Sequence, residues 1–315
     1  MNLNKFYHGF NNTIIHCKII IRGVVFFVIF FKFPLYSYSL GKEYNKLIND
    51  SFCCKCIIRN FYVKTSIIYF SSMITLYIGW YRNQELGRFH FFDDSKEWNF
   101  QDKLGHLYFS YILSDYFYKN LKAEKKGFIK SFLFAFFSIS SIEILDGFGI
   151  NWGFSYYDIL FNFLGSFFYF INNFYFNNLF SLKISYYPTT YYTENPKLLG
   201  NTHIERFIKD YNGHTFWLNI NINKLFKRFP EVLSLSIGHS IDGFIRAEKG
   251  KFSSYELEFF KPCSQIFISL DVNINKFNVN KRIFNYMKEL FNFLKFPFPA
   301  IEFSVKKKNF HLIYF

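Results

Sequence analysis

A complete catalytic signature is missing from this 315-residue chain. No HExxH motif pairs two metal ligands one helical turn apart, and the five cysteines do not finish a zinc set. Cys53-Cys54-Lys55-Cys56 contains one CxxC, but no second pair or nearby histidine completes it. Acidic residues are scarce, 23 against 37 Lys and Arg, which leaves a net charge of +14. That excess would suit nucleic acid, yet the lysines are scattered apart from Lys306-Lys307-Lys308, and no nucleic-acid motif accompanies them. Nucleic acid is therefore excluded as a partner. Attraction to an anionic membrane surface is the expected consequence of the charge. Long apolar runs are short of the mark too: those at 66–80, 104–117, 128–145 and 159–171 are each near or below the ~17 to 25 residues of a spanning helix.

What the chain has in quantity is aromatic. It holds 49 Phe and 24 Tyr against 3 Met, and half of it is hydrophobic. Phe, Ile, Asn and Lys share A/T-rich codons, so base composition accounts for much of this and little can be read from any single aromatic. The length suffices for a sizeable core and for two domains.

The N-terminus reads as an export signal. Lys18 and Arg22 precede the apolar run 24–31, too short to span a bilayer, and Ser37-Tyr38-Ser39 offers a small-x-small cleavage site. We expect a signal peptide or N-terminal anchor over 1–39, a linker over 40–60, a helical domain over 61–180 and a β-rich unit over 181–315. No cysteine follows the apolar run at the lipidation position. The four apolar stretches fit short membrane helices, a bundle in the bilayer interface, or a globular core. Gly127 and the charged 122–126 segment mark a turn between the second and third, as in an antiparallel helical hairpin.

After about Asn178 the period changes from helical to alternating. Phe216, Leu218, Ile220 and Ile222 alternate with polar residues and Trp217, and 233–241 and 266–274 repeat the pattern. These predict half-buried antiparallel strands. The segments 301–305 and 310–315 flank a Lys-Asn turn and read as a hairpin, preceded by an amphipathic helix over 281–294. The fold class is α+β: a membrane-associated bundle of about four helices, then a small antiparallel β-rich unit with one or more helices. An outer-membrane barrel is the alternative, but most of these strands fall short of the ~9 to 11 residues it requires.

Polar residues recur at helical spacing inside the Phe-rich segments. Asp102 and His106 are four apart and share a helix face, as do Asp158 and Asn162; Glu143 and Asp146 are three apart. Such groups are costly to bury without partners, so one cluster gathered between helices is expected. Catalytic candidates are Asp102, His106, Glu143, Asp146, Asp158 and Asn162. Candidates for holding a divalent metal, the one cofactor this inventory suggests, are His106, Glu143, Asp146 and Asp158. The same residues can instead build a purely structural network, with Asp102 capping its helix, Asp158 in a first turn, and Glu143 and Asp146 paired to Lys103 or His106. His90 reads as a surface histidine in a polar, aromatic loop at 89–98.

Several short motifs in fixed order resemble a known family. Trp80-Tyr81, Phe89-His90-Phe91-Phe92-Asp93, Glu97-Trp98, Asp102-Lys103-x-Gly105-His106, Glu143-x-x-Asp146-Gly147 and Trp152-Gly153-x-Ser155-x-x-Asp158 look like the YfiM-type domain of predicted periplasmic lipoproteins, of unknown function. Lys209-Asp210-Tyr211-Asn212-Gly213-x-Thr215-x-Trp217 resembles the C-terminal extension of its longer members. A fainter similarity runs to VanZ-like membrane proteins through Asp102, Lys103, His106, Glu143, Ser155, Asp158, Asn162 and Gly165. The resemblance implies a role in the cell envelope, periplasmic or membrane-associated after export, with no assigned reaction. The expectation is a structural or interaction protein whose partners are membrane lipids or envelope proteins. The alternative is a membrane-bound, metal-dependent hydrolase or transferase acting on a lipid-linked or phosphorylated envelope substrate.

Overall fold

The computed structural model describes residues 61–81, 84–124, 126–277, 288, 291–306 and 308–314. The expected leader or anchor, the linker, the Cys53–Cys56 cluster and most of the expected 281–294 helix lie outside the described residues. Within them the chain is α+β, with seven α-helices and a six-stranded antiparallel sheet. It divides into two compact units, residues 1–92 with 140–155 and residues 93–139 with 156–315.

In the first unit, α1 (Phe61–Leu76) runs on into a π-helical turn (Tyr77–Tyr81). Strand β1 (Phe91–Phe92) pairs in parallel with β2 (Phe154–Ser155). The rings of Phe89, Phe91, Phe148 and Phe154 gather around this pair with centroids 5.4 to 5.7 Å apart. The stretch expected as a membrane-surface loop thus starts with a short strand, although Phe89 and Phe91 remain largely exposed. Helix α3 (Gly127–Asp146) gives its last turns to this unit and the rest to the other. It is the one described helix long and apolar enough to cross a membrane, by length and composition.

The second unit holds α2 (Gln101–Leu121), α4 (Tyr156–Phe174) and the large sheet. The chain enters α2 through three consecutive left-handed residues, Trp98 (φ 47°), Asn99 (φ 49°) and Phe100 (φ 68°). L-residues resist that conformation, so surrounding structure must impose it. Here Trp98 supplies the hold: its ring is buried with Leu199, Ile241, Phe244 and Ala247, and its N–H donates to the Ala247 carbonyl at 2.7 Å. Helix α4 then packs closely on α2, because Gly165 has no Cβ; one built there would lie 2.1 Å from the Leu107 carbonyl oxygen. Tyr111, Tyr169 and Phe170 fill the rest of this contact. Buried serines satisfy themselves within their own helices, with Ser110 donating to the His106 carbonyl (2.6 Å) and Ser114 to that of Ser110 (2.8 Å).

The sheet runs in chain order: β3 (Phe180–Tyr186), β4 (His214–Ile220), β5 (Leu233–Asp242), β6 (Cys263–Val272), β7 (Phe298–Ser304) and β8 (Lys308–Tyr314). Three short helices, α5 (Pro196–Leu199), α6 (His203–Lys209) and α7 (Ser254–Phe260), occupy its connections. Ile184 N–H donates to Phe293 (3.0 Å) and Lys295 N–H to Ile184 (2.9 Å), which covers the outer edge of β3. The sheet also curls, since Tyr314 on β8 reaches Thr215 on β4, hydroxyl to hydroxyl, at 3.0 Å.

The alternation predicted from sequence is present, and much of the enclosed face is polar. Ser236 and Asp271 have no exposed surface, Glu302 and Asn219 have 1%, and they share the enclosed face with Trp217 and Phe267. Lys183 and Lys295 enter the same interior, where Lys183 Nζ meets Asp271 at 2.6 Å and Lys295 lies 5.0 Å from the Trp217 ring. On the opposite face apolar cover reaches β3 and β4, where Ile184 and Phe216 pack against Tyr108 of α2, and the end of β5, where Ile241 packs with Trp98, Leu199 and Phe244. Curling explains the inversion: the concave side accommodates small serines and mutually paired ions, and the larger aliphatic side chains fan outward.

Candidate functional site

Three short segments of the second unit build the site. Asp94 precedes the left-handed turn, Asp102, Lys103 and His106 stand on the first turns of α2, and Asp158 and Asn162 stand on the first turns of α4. The four-residue spacing of Asp102 and His106, and of Asp158 and Asn162, puts each pair on one face, and the close approach at Gly165 brings the two faces together.

Lys103 is the centre. Its side chain has no exposed surface, and its ammonium pairs with Asp158 at 2.7 Å, with Asp102 at 3.0 Å and with Asp94 more closely still. Burial alone opposes a charge there, but the carboxylates of Asp102, Asp158 and Asp94 outweigh it and hold the ammonium protonated well above its ordinary range. Three carboxylates against one lysine leave an acidic surplus. Burial works against ionised Asp102 as well, yet Lys103, His106 and a hydrogen bond from Tyr211 (2.5 Å) keep that carboxyl below its usual range. Asp158 goes the other way: burial first, then the Asp102 charge, push it up to about 7. Glu97 is also pushed up to about 7, by burial and then by Asp102.

His106 faces this group from the next turn of α2. Its Nδ1 lies 3.1 Å from the Asn162 amide oxygen, which can only accept, so Nδ1 carries the proton in that contact. Ser110 approaches the same amide oxygen at 3.2 Å. Nε2 is thereby turned toward Asp158 (3.7 Å) and Asp102 (3.9 Å), beyond hydrogen-bond length from either. One ligand atom each from Asp102, His106 and Asp158 lies within 4.8 Å of the others. Two carboxylate oxygens and an imidazole nitrogen suit a borderline divalent ion such as zinc or manganese. Chemically, the arrangement can hold such an ion, divide a proton between two carboxyls whose surroundings push their affinities apart, or lock two helices together.

Of the residues expected from sequence, Asp102, His106, Asp158 and Asn162 are brought together. Glu143 and Asp146 belong to the first unit: Glu143 is 1% exposed, and Asp146 accepts a hydrogen bond from Tyr81 at 2.7 Å. His90, also in that unit, is turned toward the Arg88 carbonyl at 3.1 Å and is partly exposed. Two members of the site were not anticipated. Asp94 lay inside a stretch expected to face the membrane surface, and Tyr211 lies 109 positions from the carboxylate it meets. The sequence signal for Tyr211 was its place in the Lys209–Trp217 motif, which marks the position but not the partner.

No curated protein and no solved structure matches the chain. The family whose model does match carries neither the YfiM-type name nor a VanZ-like relation in its description. Residues 90–173, which hold every charged member of the site, are similar to the family described as "Predicted periplasmic lipoprotein (DUF2279)", in agreement with a location in the cell envelope.

Proposed function

We propose that this chain is an exported, membrane-associated envelope protein with a structural or interaction role, in which the buried polar cluster locks α2 to α4. One observation carries the reading. The place among Asp94, Asp102 and Asp158 that a catalytic or structural cation would take is filled by the chain's own Lys103 ammonium, with no exposed surface. A resident cation that cannot leave pairs with each of the three carboxylates and performs no turnover. The enclosed ion pair of the sheet, Lys183 with Asp271 at 2.6 Å, uses the same construction.

A second reading rests on the other side of the cluster. His106 Nε2 with Asp102 and Asp158 offers three donors at ligand spacing, which would suit a metal-dependent hydrolase or transferase. Metal content and thermal stability, measured together, separate the two. For the structural reading, purified protein carries no stoichiometric divalent metal, chelator leaves the Tm unchanged, and Lys103→Met destabilises by about 3 to 5 kcal/mol, since it strands buried carboxylates. Stoichiometric metal that is lost in His106→Ala would instead establish the enzyme-like reading.

A further inference from the structure

We infer that the outward face of β5 to β8 is a lipid-contact surface, seated against the acyl chains of a bilayer; the inference rests on the membrane association proposed above and names the surface that makes it. The register lines up one residue from each strand in a single outward row: Leu182, Leu218, Ile237, Ile268, Ile301 and Phe310. Every member is apolar. Leu182 packs beside α2 and Leu218 is half-buried, whereas Ile237, Ile268 and Ile301 are 40, 41 and 45% exposed and Phe310 is 65% exposed. At ~4.8 Å per strand the exposed part of the row, from Ile237 to Phe310, runs ~14 Å across the sheet as one contiguous apolar strip, not the scattered apolar contacts of an ordinary water-facing surface.

The inner face of the same strands decides the occupant. A sheet that faces water on one side turns its aliphatic residues inward and its polar ones out. Here the inward face carries Lys183, Asn219, Ser236, Asp271 and Glu302, all nearly sealed from solvent, around a small apolar cluster of Trp217, Phe267 and Ala300. Placing ions inside and isoleucines outside is unfavourable in water and favourable against hydrocarbon, where unsatisfied polar groups must be hidden. The same inversion recurs on α4 of this unit, which buries Asp158, Asn162 and Ser166 and exposes Leu160, Phe163 and Phe167. A single protein partner would cover one such face, while a bilayer supplies the same solvent to both. The free edge of β8 sets the depth. Among the described residues no strand pairs with it, so its backbone groups require water or headgroups. That edge belongs at the interface, where Lys308, paired across from Phe303, is placed to meet lipid phosphates.

The test places a photo-crosslinking side chain on the row without changing its character. Full-length protein carrying Phe310→p-benzoylphenylalanine, or separately Phe303→p-benzoylphenylalanine, is reconstituted with vesicles of phosphatidylethanolamine and phosphatidylglycerol and irradiated. Both positions should gain the mass of one phospholipid, and Tyr314→p-benzoylphenylalanine, on the enclosed face, should give only intrachain adducts. Using two outward positions guards against a local folding defect at either. Vesicle flotation with adducts to a second copy, or with no adduct at 303 and 310, overturns this surface and leaves membrane association standing. Failure to float with vesicles overturns both.

Discussion

At the scale of single residues, the chain buries several charges, and Lys103, Lys183 and Asp271 are held there by partners of opposite sign. Lys103 is surrounded by carboxylates; Lys295 has a weaker position, pushed down to about 8 by burial, with Asp271 only partly restoring it. His214 is the cleanest titrating group because burial, with little to oppose it, lowers it to about 4. The consequence for stability has a definite sign. A histidine depressed in the folded state favours the neutral form, so its contribution is complete above the ordinary histidine range and is lost as pH falls toward 4. Between pH 7 and 5 the loss should be about 2 kcal/mol. Urea midpoints of wild type and His214→Gln at the two pH values check this: the variant should lose distinctly less than wild type on acidification. Local spacing disclosed Asp102 with His106 and Asp158 with Asn162, because a helix repeats every 3.6 residues. It could not disclose Asp94 or Tyr211, whose partners are set by a left-handed turn and a distant loop that obey no period.

Among elements, the helices are the most legible part. The apolar stretches 104–117, 128–145 and 159–171 each sit inside a helix a few residues longer, since polar first turns such as Gln101-Asp102-Lys103 belong to the helix without being apolar. Two of the strands, β5 and β6, reach ten residues and so meet the length a barrel strand needs, while the others have seven. Strand β3 went unmarked, as Lys183 and two serines dilute its pattern. The short helices α6 and α7 were legible in principle: Thr202 with Glu205 and Ser253 with Glu256 each form a capping box. Alternation gives the two faces of a strand but not which one is enclosed, and so the buried polar face could not be read from the sequence. The contact between α2 and α4 yields a sharp contrast. Gly165→Ala must displace a backbone carbonyl and should cost ~2 kcal/mol or more. Gly105→Ala meets only the Phe216 ring at 3.6 Å and should be neutral or slightly stabilising through helix propensity. Denaturant midpoints of the two variants measure the difference.

For the whole molecule, charge and apolar surface act together. On the proposed membrane association, a net charge of +14 would draw the protein to anionic lipid, and such attraction is screened by salt, whereas apolar contact is not. Binding to phosphatidylglycerol vesicles should therefore weaken as NaCl is raised, then level off at a salt-resistant remainder, which cosedimentation across a salt series would show. The covered edge of β3 carries a further consequence, for the order of events during synthesis. Ile184 is made 109 residues before Phe293, the segment that occupies its edge (293 − 184). Until that segment emerges β3 has an open edge, and until Asp271 has been made Lys183 lacks its ion-pair partner. The strands themselves pair with their neighbours in chain order, but covering the β3 edge is a late, long-range event that depends on keeping that edge unpaired with anything else while the rest of the chain arrives.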